Sequence, residues 1–258
     1  MSKLLILLVC CYFLSSSPVT KRGNQKTILT IVAHPDDEMA IADVLVKYSR
    51  LGYRVFVVIA TDGKYGVRVT SIPEGDSLGN LRKGESICGC KIMGVEQPIF
   101  LSIDRLDTKI GVRNYFNAHK QLRDSLIQKI STINPDIIIT FGPDGDSHHA
   151  EHIVVGSAVT EILLQKGWVE KYPLYYIAYN KHYAESDDLG YIDEKYISVE
   201  VSYSQADELI GLAANKCYVT QFTADELQDD YKSKVKDTVN KSFFRRLAVK
   251  QGKQMDFD

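Results

Sequence analysis

One stretch constrains this chain more than any other: Ile28-Leu29-Thr30-Ile31-Val32-Ala33-His34-Pro35-Asp36-Asp37-Glu38. Its first half is a continuous apolar run rich in β-branched residues, which predicts a buried strand. The run ends at a histidine, a proline and three acids. Residues 39–48 are amphipathic and predict a helix, with Pro35 near its first turn. A His and several carboxylates therefore gather where a strand's carboxyl end meets a helix's amino end. In open α/β sheets that is where ligands bind. Acids in a first turn also suit the helix dipole, so capping alone accounts for Asp36 or Glu38. It accounts neither for His34 nor for a second cluster at His148, His149 and His152.

The rest of the chain alternates. Strands are expected at 53–60, 99–101, 136–140, 174–179 and 196–201, and helices at 81–93, 115–133, 150–165 and 204–217. Residues from 224 to the end are charged and expected to be helical. Alternation of this kind implies an α/β fold, a single domain with a mostly parallel sheet flanked by helices. The polar stretch 61–80 is long for a mere connection and reads as a functional rim. The loop Phe141-Gly142-Pro143-Asp144-Gly145-Asp146-Ser147 precedes the second His cluster. That cluster repeats the placement of the first, a strand running into a helix.

The net charge of −2, with 25% charged residues, offers no polyanion-binding surface, so no nucleic-acid partner is expected. No GxGxxG follows the first strand, which speaks against dinucleotide binding. The cysteines at 10, 11, 88, 90 and 217 are too few and too irregular for a disulfide framework. Cys88-Gly89-Cys90 falls in a helical stretch and reads as buried packing. At the start, Met1-Ser2-Lys3 precedes an apolar run over 4–14 and then Ser15-Ser16-Ser17-Pro18. This pattern matches a secretory signal better than a membrane span. Pro18 makes a poor cleavage site, and Leu8-Val9-Cys10-Cys11 is a degenerate lipoprotein box. Residues 1–24 are therefore expected to be a signal peptide or N-terminal anchor. Export, with membrane contact left open, is the expected location, and 25–258 form the domain.

His34 and Asp37, at i and i+3, can face one locus in a first helical turn. His152 can complete a three-ligand set from the parallel position on another strand. Nitrogen and carboxylate ligands suit Zn2+, though they also accept Fe2+ or Mn2+. Such an ion lowers the pKa of water and polarises a carbonyl. Asp36 is placed to be the general base, and His149, one turn before His152, to stabilise an oxyanion or protonate a leaving group. His148, His119 and His182 have no role in this scheme.

The motifs Ala33-His34-Pro35-Asp36-Asp37-Glu38 and His149-Ala150-Glu151-His152 resemble those of the PIG-L/LmbE-like family, the N-acetylglucosaminyl-phosphatidylinositol de-N-acetylase-like hydrolases. Arg82 and Glu85 resemble the family's Arg-x-x-Glu. The resemblance implies a Rossmann-like fold and zinc-dependent release of acetate from an N-acetylated amino sugar, a small-molecule substrate. It implies His34, Asp37 and His152 as ligands, Asp36 as base and His149 as transition-state stabiliser. Arg82 would contact substrate, while a surface salt bridge to Glu85 explains it equally well. Asp62, Tyr65, Arg68, Asp104 and Asp144 lie in loops expected to open on the same side, where they can bind sugar hydroxyls. Tyr65 and Tyr183 can stack on a sugar face. The family's C-terminal His-x-Ser-Gln is replaced here by Tyr218-Val219-Thr220-Gln221, and Asp144 and Asp146 make the second loop acidic. Both departures leave the aglycone open. A metal hydrolase of another amide and a non-catalytic carbohydrate-binding module are the competing readings.

Overall fold

Thr27–Val32 forms β1, buried at every position. Further strands are β2 (Arg54–Thr61), β3 (Ile99–Ile103), β4 (Ile137–Thr140), β5 (Leu174–Ala178), β6 (Val199–Ser202) and β7 (Lys241–Arg246). They build one seven-stranded sheet of order β3-β2-β1-β4-β5-β7-β6. The computed structural model describes residues 25–181 and 190–254. The leader-like residues 1–24, His182 and Tyr183 lie outside the described residues. Among the described residues, no helix is long and apolar enough to cross a membrane.

The five strands from β3 to β5 pair in parallel, with Leu29 opposite Phe56 on one side and Ile138 on the other. From β1 the chain winds outward through β2 to β3, then returns to β4 on the opposite flank of β1. That reversal is the switch point of a doubly wound sheet, where a crevice opens beyond the strand ends. Two threonines hold its floor: Thr61 Oγ1 donates to Ala33 O at 3.0 Å, and Thr140 Oγ1 to Ile31 O at 2.8 Å. The flanking helices are α1 (Ala42–Arg50), α2 (Asp76–Met93), α3 (Val112–Ile133), α4 (Ala150–Lys166), α5 (Gln205–Asn215) and α6 (Ala224–Lys236). α1 and α2 pack on α5, and α3 packs on α4. The fold is the expected mostly parallel, helix-flanked sheet.

Several details differ from the sequence reading. The helix expected over 39–48 opens as a 3-10 turn, Asp37–Ile41, before α1 begins. α2 starts at Asp76, inside the stretch read as loop. The C-terminal region is not helical to its end, because β7 follows α6 and inserts antiparallel between β5 and β6. Phe244 supplies the reason, since it pairs with Ile177 and is buried against the core. Cys88 is bonded to Cys217, with Cα atoms 5.9 Å apart, so the packing role holds for buried Cys90 alone.

The disulfide closes a 129-residue separation and ties α2 to the turn after α5. Crosslinks over long loops stabilise chiefly by restricting the unfolded chain, typically by about 2–4 kcal/mol. Cys217→Ser should therefore lower the urea-unfolding free energy by about that amount relative to the oxidised parent. Equal midpoints for the oxidised parent and the variant would contradict a formed bond.

Candidate functional site

Both His clusters reach one point because β1 and β4 are adjacent and in register. Asp37 is its centre. Its Oδ2 accepts the backbone N–H of Ala33 at 3.0 Å and of His34 at 2.6 Å, which fixes the carboxylate in place. His34 Nδ1 lies 3.4 Å from Oδ2, and His152 Nε2 lies 3.1 Å from Oδ1. The far nitrogen of each ring is held as well. His34 Nε2 is 2.6 Å from Glu151 Oε2, and a carboxylate only accepts, so Nε2 carries a proton and Nδ1 is the nitrogen turned to Asp37. Glu151 is itself anchored by the Leu106 N–H at 2.6 Å. His152 Nδ1 lies 3.1 Å from Gly145 O, and its ring stacks on Phe141 at 4.0 Å. A carbonyl likewise only accepts, leaving Nε2 turned to Asp37.

This donor set fits a divalent metal. Metal-bound histidines almost always give their other N–H to a carboxylate or backbone carbonyl, as both rings do here. Ligands about 2.0–2.2 Å from a tetrahedral ion are about 3.3–3.6 Å apart; the 3.4 Å from His34 Nδ1 to Asp37 Oδ2 falls in that range, and the 3.1 Å from His152 Nε2 to Asp37 Oδ1 lies just below it. Charge points the same way. Burial works against a charged His34, but Asp37 and Glu151 outweigh it and hold the imidazole up at about 10. Burial likewise opposes ionisation of Asp37, and His152 and His34 overcome it, holding the carboxyl well below its usual range. The locus favours positive charge, which a divalent cation supplies in place of a proton. His149 offers a second arrangement, since suitable atoms of His34, His149 and His152 all lie within 4.8 Å of one another.

Asp36 stands beside this centre on strained backbone, φ 109° and ψ −27°, a region costly for any residue with a Cβ. Burial pushes its carboxyl up to about 7, although the Arg82 guanidinium 3.0 Å away pulls the other way. Its N–H donates to Glu38 Oε2 at 3.0 Å, and Tyr218 donates to Glu38 Oε1 at 2.7 Å. Gly89 makes that approach possible, since a Cβ there would sit 2.5 Å from the Tyr218 hydroxyl oxygen. Thus Tyr218-Val219-Thr220-Gln221 packs into the site's support: Thr220 bonds Glu85 through N–H and Oγ1, and Gln221 reaches Gly66 O at 3.0 Å.

A cavity of about 510 Å³ opens over the centre. It brings together His34, Asp36, Asp37, Arg82, Asp104, His149 and His152, with Tyr65 and Arg68 from the expected loops. Asp104 stands on its rim, bound to Lys64 at 2.6 Å and Tyr65 at 2.9 Å. Exposed His149 caps α4, its Nδ1 accepting the Glu151 N–H at 3.3 Å. Asp62 and Asp144 do not line this cavity; Asp62 pairs with Lys83 and Asp144 accepts the Asp146 N–H. Glu38, Glu151 and Gln221 had no role in the sequence reading, although Glu38 and Glu151 sit inside the two motifs.

The surface pair Arg82–Glu85 is not formed. Both residues are buried, on a stripe of α2 that also holds Leu78, Ser86, Gly89 and Met93. Arg82 donates to Gly63 O at 2.9 Å and to Pro35 O at 2.6 Å as well as to Asp36. Removing one partner of a buried pair strands the other, at a cost of about 3–5 kcal/mol. Arg82→Ala should show a loss of that order in denaturant unfolding. A loss of a few tenths, typical of an exposed i,i+3 pair, would contradict the buried geometry.

A family model described as PIG-L, GlcNAc-PI de-N-acetylase, matches residues 29–163. A 1D-myo-inositol 2-acetamido-2-deoxy-alpha-D-glucopyranoside deacetylase from Rhodococcus jostii (strain RHA1) is 25% identical over 154 residues, 53% of each chain. The protein thus spans about half the length of that curated relative. Among solved structures, the N,N'-diacetylchitobiose deacetylase of Pyrococcus horikoshii superposes with a TM-score of 0.61 at 18% identity, covering 87% of this chain and 84% of that one. The 4-carboxy-2-hydroxymuconate hydratase GalB of Pseudomonas putida KT2440 gives 0.62 at 14%, covering 90% and 100%. One fold carries both reactions, so these likenesses speak for the fold alone. With its matched region spanning β1 to α4 and both His motifs, the chain belongs to the PIG-L family.

Proposed function

We propose that the protein is a metal-dependent N-deacetylase, zinc being the first candidate ion, acting on an N-acetylglucosamine-containing small molecule. The observation that carries this reading is the pairing of two adjacent acids with different surroundings. Asp37 is fixed between two imidazoles, whereas Asp36 is held apart from them by Arg82. His34, Asp37 and His152 would hold the ion. When bound, it would supply a Lewis acid and acidify water. Asp36 then takes the proton of the water that attacks the amide carbonyl carbon. His149, on the cavity wall, stabilises the oxyanion. As the C–N bond breaks, the proton passes to the departing nitrogen, giving acetate and a free amine. Asp104 and Arg82, lining the same cavity, are the candidate substrate contacts. A binding module without catalysis would have no use for a strained acid beside the donor set.

Metal analysis of the purified protein should find one divalent ion, sharply depleted by alanine at His34, Asp37 or His152. Asp36→Asn should keep the ion and lower kcat by about 100-fold or more, because an amide cannot take the proton. Depletion by His149→Ala but not by Asp37→Ala would move the donor set to the three imidazoles. Loss of the ion in Asp36→Asn would exchange the roles of the two acids.

We further propose that the chain acts outside the cytosol. Lys3 ahead of a short apolar run supports export, and the Cys88–Cys217 bond suits an oxidising compartment. N-terminal sequencing of protein from its source should find a processed start or membrane association. A soluble cytosolic protein with Met1 intact and both thiols free would overturn this.

A further inference from the structure

The disulfide stands closer to the proposed base than its place at the surface suggests. Cys88 is exposed and Cys217 half-buried, so a thiolate can reach the bond. Each cysteine is followed by one side of a tight contact, Gly89 on α2 and Tyr218 on the turn after α5. A Cβ on Gly89 would lie 2.5, 2.8 and 2.9 Å from the hydroxyl oxygen and two ring carbons of Tyr218, so that side chain sits hard against the helix. The buried hydroxyl donates to Glu38 Oε1 at 2.7 Å, while Glu38 Oε2 takes the Asp36 N–H at 3.0 Å. One line of contacts therefore runs from an accessible sulfur pair to the backbone that holds Asp36 at φ 109°.

We infer, building on the deacetylase reading, that the Cys88–Cys217 bond is a redox clasp, and that Tyr218 and Glu38 are the positioning residues through which it sets the rate. Closed, the bond holds the turn on α2, Tyr218 on Glu38 and Asp36 in its costly conformation. A dithiol opens it through a mixed disulfide. The dithiol leaves as its own disulfide, and Cys88 and Cys217 take up two electrons and two protons as thiols. Two thiols cannot approach as closely as two bonded sulfurs, so the turn parts from α2. Thr220 stays bonded to Glu85 through its N–H and Oγ1, so the turn pivots and does not unfold.

The bond between Tyr218 and Glu38 is lost once their oxygens part by about 1 Å. Glu38, fully buried, then has the nearby Ser86 hydroxyl as its remaining donor, a group with no hydrogen-bond partner among the described residues while the clasp is closed. A carboxylate that turns to Ser86 gives up the Asp36 N–H, and a left-handed residue with a Cβ relaxes when its support goes. The ion's donors lie outside this line, because Asp37 hangs on the N–H groups of Ala33 and His34 at the end of β1. The enzyme is thus slow where thiols are kept reduced and reaches its full rate where the bond forms.

The test compares acetate release from N-acetylglucosamine and N,N'-diacetylchitobiose by the oxidised protein and by protein reduced with dithiothreitol and desalted anaerobically, with ion content checked in both. Reduction should lower kcat by about tenfold, leave KM within about twofold and spare the ion, and reoxidation should restore the rate. Tyr218→Phe, which keeps the packed ring, should start at the reduced rate and no longer respond to reduction. Glu38→Gln can accept the Asp36 N–H and donate to the Tyr218 oxygen, so it should keep the response that Glu38→Ala abolishes. Cys88→Ser should match the reduced parent and ignore dithiothreitol. Hydrogen exchange of the Asp36 amide, followed by NMR, needs no turnover and should quicken by about tenfold on reduction. An unchanged kcat, a loss carried by KM or by ion content, or a Tyr218→Phe protein that still responds would overturn the clasp. Quickened exchange without acetate release from either sugar sinks the deacetylase reading alone. Steady release with unchanged Asp36 exchange sinks the clasp alone.

Discussion

Asp37 is the residue on which the rest of the centre depends. Its carboxylate is oriented by two backbone N–H groups at the end of β1, so the strand itself aims it. Each oxygen then faces one imidazole, from β1's end and from α4, and each imidazole is turned by an acceptor behind it. The arrangement is over-determined, which is what a site needs if geometry is to survive thermal motion. It also explains the parallel sheet's relevance. Only adjacency of β1 and β4 at the switch point brings His34 and His152 to one carboxylate from positions far apart in sequence.

A second layer holds Asp36 in its costly conformation. Arg82 grips Asp36 and the carbonyls of Pro35 and Gly63, and Glu38 takes the Asp36 N–H. Glu38 in turn leans on Tyr218, and the Cys88–Cys217 bond fixes the turn that carries Tyr218 to α2. Strain at Asp36 is therefore supported by contacts from α2 and from the segment after α5. In this chain, Tyr218-Val219-Thr220-Gln221 serves as a brace behind the centre through Glu38, Glu85 and Gly66.

Much of this was legible in the sequence where the signal is local. The apolar run into His34-Pro35-Asp36-Asp37 gives both the strand and its placement, and the HxxH after Thr140 repeats it. What escaped depends on distant partners. β7 is short, is flanked by charges, and is a strand because Phe244 finds Ile177 across the sheet. The disulfide joins residues 129 apart, which no spacing rule foretells. Arg82 and Glu85 look like a solvated helix pair until the whole stripe is read. Leu78, Arg82, Glu85, Ser86, Gly89 and Met93 recur at helical spacing, so the polar members share the buried face with apolar ones. That stripe was available as a signal.

The central claim is that Asp37 and two imidazole nitrogens, His34 Nδ1 and His152 Nε2, converge on one ion. Anomalous diffraction from crystals of the metal-loaded protein, recorded at the metal's absorption edge, tests it most directly. The account predicts a single peak within about 2.0–2.2 Å of His34 Nδ1, His152 Nε2 and an Asp37 carboxylate oxygen. A peak bound through the three imidazoles with Asp37 turned away, or through Glu151 and His34 Nε2, would contradict it.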